Sequence, residues 1–145
     1  MILAARDALT TSGQGQGRLV GVNVGTPHFS VEEFGALVAL LAGRRVHPRV
    51  ELYANTSRHT LARIEERGWL AALDAAGVRL VVDTCTYVTP ILRTTAGVVM
   101  TSSAKWAWYA PGNIGVQVAF GSLRECVDSA VAGRVVRDDA LWSRL

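Results

Sequence analysis

Gly97-Val98-Val99-Met100-Thr101-Ser102-Ser103-Ala104-Lys105-Trp106-Ala107-Trp108-Tyr109-Ala110-Pro111-Gly112-Asn113 decides how this chain is read. The first four residues are a short apolar run that reads as a buried strand. The sequence then turns at once to small hydroxyls, one lysine, aromatic rings and a Pro-Gly pair. A loop of that composition belongs at the surface, yet its rings call for burial. Hung on a strand end, it matches the way many α/β enzymes hold a small anion. Lys105 would supply charge, and Ser102 and Ser103 short hydrogen bonds. The alternative is a structural loop whose aromatics plug the end of the sheet.

Outward from this stretch, apolar strands alternate with capped helices. Strands are expected at 18–24, 50–54, 78–82, 98–100 and 116–120. Ser30 with Glu33, and Ser122 with Glu125, are capping boxes that open helices. Phe34, Leu37, Val38 and Leu41 give the first of these helices an apolar stripe, and Gly43 stops it. Asn55-Thr56-Ser57 ends a strand and caps a helix through Leu61 and Ile64 to Arg67. Trp69 to Ala76 forms another helix, closed by Gly77. The strands are β-branched and apolar throughout, as in a parallel sheet buried on both faces. The expected fold is therefore α/β: a three-layer α/β/α domain with a mainly parallel sheet. Residues 1–17 are expected to be a partial helix and flexible link, 18–135 the α/β domain and 136–145 a polar tail with a short helical end. Gly13-Gln14-Gly15-Gln16-Gly17 precedes a strand and opens no helix, so it reads as a linker and not as a dinucleotide loop.

Half of the 145 residues are apolar and 19% are charged, enough for one packed core. The net charge is +3 and the isoelectric point about 9.3, but the arginines are dispersed. A surface that tracks nucleic acid needs clustered cations, so no nucleic-acid partner is expected. No apolar stretch is long enough to span a membrane. Arg6 and Asp7 interrupt any secretory leader, so the expected compartment is the cytoplasm, with Cys85 and Cys126 as thiols. Each is either available to a metal or simply buried.

Ligands of open parallel sheets bind beyond the carboxyl ends of the strands. Here those ends carry Thr26 and His28; Asn55, Thr56, Ser57 and Arg58; Asp83, Thr84 and Cys85; Thr101, Ser102, Ser103 and Lys105; and Ser122. With helix N-termini nearby, a carboxylate or phosphate is the natural guest. Cys126, in the first turns of a capped helix, sits where the dipole favours a thiolate.

These segments together resemble the aconitase X family, from about Leu3 to Val135. The likeness is carried by Gly25-Thr26-Pro27-His28-Phe29-Ser30, Thr56-Ser57-Arg58, Val82-Asp83-Thr84-Cys85, Thr101-Ser102-Ser103-Ala104-Lys105-Trp106-Ala107, Tyr109-Ala110-Pro111-Gly112 and Phe120-Gly121-Ser122 with Glu125-Cys126-Val127. The resemblance implies an aconitase-like domain of a hydro-lyase acting on a small hydroxy acid such as cis-3-hydroxy-L-proline. It implies an iron–sulfur cluster, of the [2Fe–2S] type, as Lewis acid for the leaving hydroxyl. By the same resemblance Cys85 and Cys126 are metal ligands, Lys105 and Ser103 catalytic, and Ser102, Ser57, Arg58 and His28 substrate-binding. Thr26 stands where some relatives have cysteine, and Trp108 where relatives often have histidine. The likeness covers the C-terminal part of the family's large catalytic region. It implies a complementary swivelling-domain chain or self-association, or else a non-catalytic or truncated subunit that keeps the fold and an anion pocket.

Overall fold

The computed structural model describes residues 2–11 and 17–144. The expected linker falls almost wholly on residues outside that range. Five strands form one parallel sheet: β1 Leu19–Val24, β2 Glu51–Thr56, β3 Val78–Val82, β4 Val98–Thr101 and β5 Gln117–Phe120. Their order across the sheet is β3-β2-β1-β4-β5, and every neighbouring pair is parallel. The chain therefore builds outward from β1 to one side, returns, and builds to the other. Strand order had no signature in the sequence, because apolar β-branched strands pair interchangeably.

One face of the sheet is covered by four helices: α2 Val31–Leu41, α3 Arg58–Glu66, α4 Trp69–Ala76 and α6 Leu123–Ala132. Phe34, Leu37, Ile64, Leu73 and Val127 pack there on Val22, Val24, Leu52 and Met100. Both expected capping boxes form, Ser30 with Glu33 and Ser122 with Glu125. The other face carries α5, Ala104–Ile114, whose Trp106, Ala107 and Ala110 bury against Val20, Val99 and Val118. Beside α5 that face is covered by the connection 83–97, through Tyr87 and Leu92. The layers are thus α/β/α as expected, with the second layer shared between a helix and irregular chain.

Two expectations are corrected. Thr101–Asn113 is not a loop: Thr101 ends β4, Ser103 caps α5, and the helix runs through Pro111 to Ile114. A proline in a helix interior costs about 3 kcal/mol. Here the burial of Trp106, Ala107 and Ala110 offsets that loss. Asn55 and Thr56 do not lie beyond β2 but inside it, wholly buried.

At the outer edge of β5, the segment after α1 (Ile2–Ala8) supplies bonds that a sixth strand would otherwise make. Thr11 N–H donates to the Val118 carbonyl at 2.9 Å, and Val118 N–H to Thr11 Oγ1 at 2.8 Å. The tail forms α7, Asp139–Ser143, where Trp142 Nε1 donates to the buried Glu125 at 2.9 Å. No helix among the described residues is long and apolar enough to cross a membrane.

Candidate functional site

The strand order places a switch point between β1 and β4, at the carboxyl ends where open parallel sheets hold ligands. Beneath it lies a buried polar hub. Asn55 Nδ2 donates to Asn23 Oδ1 at 3.1 Å and to Thr26 Oγ1 at 2.7 Å. Asn23 Nδ2 donates to the same Thr26 oxygen at 3.1 Å. Thr86 Oγ1 donates to Asn23 Oδ1 at 2.6 Å and accepts from Trp106 Nε1 at 2.7 Å. Buried polar groups are normally paired; here Asn55 Oδ1 has no partner among the described residues, while the bonds above fix each member against the next. The hub ties the β1 end, the connection 83–97 and the start of α5 to one point.

The turn that enters the hub has no room to vary. Gly25 adopts φ +83°, and a Cβ there would lie 2.7 Å from the Asn55 carbonyl and 2.8 Å from the Phe29 ring. That close approach, as much as the dihedral, demands glycine. Beyond it, Thr26 precedes a cis Pro27 and its carbonyl accepts from Ser103 Oγ at 2.9 Å.

The strand-end serines serve largely as caps. Ser57 Oγ accepts from Thr60 N–H at 3.2 Å. Ser103 Oγ accepts from Trp106 N–H at 3.2 Å while donating to Thr26. Both of Ser103's bonding directions are therefore committed. Ser102 is half-buried and Lys105 exposed in the first turn of α5, beside the hub. Neither side chain is engaged among the described residues, so both stay available at a helix N-terminus, where anions are favoured.

A second group forms at the ends of β2 and β3. Arg58 Nε donates to Asp83 Oδ2 at 2.6 Å, and Arg58 N–H to Asp83 Oδ1 at 3.1 Å. These bonds, with the Arg58 and His28 charges, hold the Asp83 carboxyl below its usual range. Arg58 thus engages Asp83 through Nε with the rest of its guanidinium exposed, and His28 lies exposed nearby.

The two thiols are placed differently. Cys85 is half-buried, one residue from Thr86 and so close to the hub. Cys126 is wholly buried in the core of the four-helix face. Burial, and then the Glu125 carboxylate, push its thiol far up from the ordinary value. A helix start that would favour a thiolate in water cannot do so when the sulfur is desolvated. Among the described residues no three His, Cys, Asp or Glu side chains converge as a metal group. A [2Fe–2S] cluster takes four protein ligands, and this chain's donor set does not fit one by itself. Cys85 is the more accessible of the two thiols; the environment of Cys126 is that of a core side chain.

Asn23, Thr86 and Trp106 were not singled out from the sequence as a unit. The signal was present in Asn23, an amide in the middle of an otherwise apolar strand, which needs a partner when buried.

Comparison with known proteins now bears on this arrangement. Residues 20–132 match the family model of the aconitase X third domain. The chain belongs to the aconitase X family. It is 48% identical over 122 residues to the cis-3-hydroxy-L-proline dehydratase of Pseudomonas aeruginosa, covering 83% of this chain and 21% of that protein. It is 29% identical over 113 residues to the phosphomevalonate dehydratase large subunit of Methanosarcina mazei, covering 78% of this chain and 27% of that subunit. The fold matches the crystal structure of Thermococcus kodakaraensis aconitase X in its holo-form, with a TM-score of 0.73 at 21% identity. That match covers 88% of this chain and 32% of the other. The aconitase X domain described here thus spans about a fifth to a third of these relatives' length, and the two relatives matched by sequence carry dehydratase names.

Proposed function

We propose that this domain is one part of an aconitase X hydro-lyase that removes water from a small hydroxy acid such as cis-3-hydroxy-L-proline. The observation that carries the reading is the hub. Its bonds tie together the Thr26 turn, the chain beside Cys85 at Thr86, and the start of α5 at Trp106, next to Lys105, which supports a shared site at the switch point. Eliminating a β-hydroxyl requires the substrate carboxylate to be held and the charge that develops beside it to be stabilised. Lys105, Ser102 and the first N–H groups of α5 supply that hold. Ser103 acts through Trp106 and Thr26, as a positioning residue for the helix start. His28 and the Arg58–Asp83 pair form the outer wall. Cys85 is the residue through which this chain would join a metal centre completed elsewhere.

The remaining groups come from a complementary chain or domain. Trp108 is 70% exposed, Val88 68% and Tyr109 49%, and Tyr109 stacks on Tyr87 with ring centroids 5.9 Å apart. Large apolar side chains left in water suit a covered interface. The cytoplasm is the compartment consistent with two free thiols.

The test is reconstitution. The chain is mixed anaerobically with the missing family domains and iron, and dehydration of cis-3-hydroxy-L-proline and of phosphomevalonate is followed by product formation. Activity is expected with the first substrate, and Lys105→Ala should lower kcat/KM about ten- to a hundred-fold. An assembled, folded complex inert toward both substrates would sink the proposal.

One observation favours a second reading, a non-catalytic subunit that keeps the fold and an anion pocket. The Thr26 hydroxyl accepts from two buried amides, so it is committed to structure where some relatives carry a thiol. That reading requires a colourless complex without stoichiometric iron and sulfide.

A further inference from the structure

The opposite end of the sheet, where the strands begin, gathers an excess of positive charge. Arg18 ahead of β1, Arg49 ahead of β2 and Arg93 in the connection 83–97 line a recess of about 270 Å³ with Glu51, Pro48 and Thr94. The glutamate does not balance them. Its side chain is 12% exposed, with Arg79 Nη2 at 3.0 Å and Arg93 Nε at 3.7 Å from Oε1. Its other oxygen accepts the Tyr53 hydroxyl. Glu51 thus faces both Arg79, outside the lining, and Arg93 within it, one carboxylate against four guanidinium groups in all. Among the described residues Arg18 and Arg49 have no carboxylate within ion-pair distance.

Three guanidinium groups around a recess attract anions, because the walls focus their field. The planar fork of arginine fits phosphate and carboxylate with paired bonds. The volume lies just under the roughly 300–1,000 Å³ that drug-sized ligands occupy, which limits the guest to a few heavy atoms beyond the anionic group. Thr94 offers a hydroxyl for a phosphate oxygen. Positive charge in excess of one unit favours a dianion over a monocarboxylate.

We propose that this recess is a binding site for a small phosphate-bearing molecule, separate from the groups at the carboxyl ends of the strands. It lies at the amino ends of the strands, whereas the hub lies at their carboxyl ends, and it does not rest on the hydro-lyase reading.

The experiment titrates the isotope-labelled chain with inorganic phosphate and, in a second arm, glycerol 3-phosphate, at constant ionic strength. Amide and arginine side-chain signals are followed by nuclear magnetic resonance. Saturable shifts are expected at Arg18, Arg49, Arg93 and Thr94. Tighter binding of glycerol 3-phosphate identifies an ester as the guest, and equal binding identifies the phosphate group alone. Arg49→Gln and Arg18→Gln should each raise the apparent Kd about ten-fold, the loss of one charge-assisted contact. Arg134→Gln, an exposed arginine elsewhere, should leave it unchanged. Shifts that never saturate, shifts confined to Ser102 and Lys105, or an equal loss with Arg134→Gln would overturn the proposal.

Discussion

The two faces of the sheet are held by different forces. The four-helix face is an apolar core of Phe34, Leu37, Ile64, Leu73 and their neighbours, with Cys126 among them. The face under α5 and the connection 83–97 has a smaller apolar cluster and relies on the Asn23–Asn55–Thr26–Thr86–Trp106 hydrogen bonds. Apolar burial is non-directional and tolerates adjustment, whereas a buried polar network requires each partner at its place. The first face builds the domain; the second fixes where the strand-end groups stand.

The strongest way to break this contrast is to truncate one large buried side chain on each face. Phe34→Ala and Trp106→Ala should each cost about 3–5 kcal/mol in urea unfolding. Only Trp106→Ala should also free the connection 83–97 to limited proteolysis, because it removes the donor to Thr86. Equal protease resistance in both variants would erase the distinction. The thiols sharpen it next. Under native conditions Cys85 should react with iodoacetamide on the order of a hundred-fold or more faster than Cys126, which waits for the core to open. Mass mapping of the alkylated peptides would show this, and similar rates would contradict the burial of Cys126.

Removing an amide from the hub gives a smaller loss. Asn23→Ala should cost about 1–3 kcal/mol, from partners left unpaired, read by the same urea titrations. An effect on the pH profile comes after it. Burial and the Glu51 bond raise the Tyr53 phenol to about 12. From about pH 10, the ordinary phenol value, the unfolded chain releases this proton while the native state keeps it. Stability therefore falls as pH rises from about 10 to about 12. Tyr53→Phe should flatten that limb in melts across the alkaline range. Smallest of all, Trp108→Ala should change the stability of the chain by no more than about 0.5 kcal/mol. Its effect should appear in assembly with a complementary chain, by sedimentation.

This contrast also sets how much the sequence could reveal. The helices of the first face carried their own start and stop signals, Ser30 with Glu33 and Ser122 with Glu125, and their apolar stripes point one way. On the second face the same kind of reading failed. Pro111-Gly112 looked like a turn because the packing of Trp106 and Ala110, which carries the helix through it, is tertiary and has no local mark. The family was legible from strand-end motifs, which lie in the stretches that local chemistry constrains. The capping of α5 by Ser103 was not, since a cap and a substrate contact ask for the same hydroxyl at the same place. The burial of Cys126 was hidden likewise, because a helix start says nothing of which layer will close over it.

The hydroxyl and backbone bonds that Thr10 and Thr11 lend to β5 leave the sheet lopsided. One margin is sealed by the chain's own amino-terminal segment, while among the described residues β3 pairs only with β2 and offers a bare ladder of backbone groups. Any lengthening of this sheet, whether by docking a foreign ribbon or by runaway polymerisation, must start at Val78–Val82, with the exposed charge of Arg79 as its sentry.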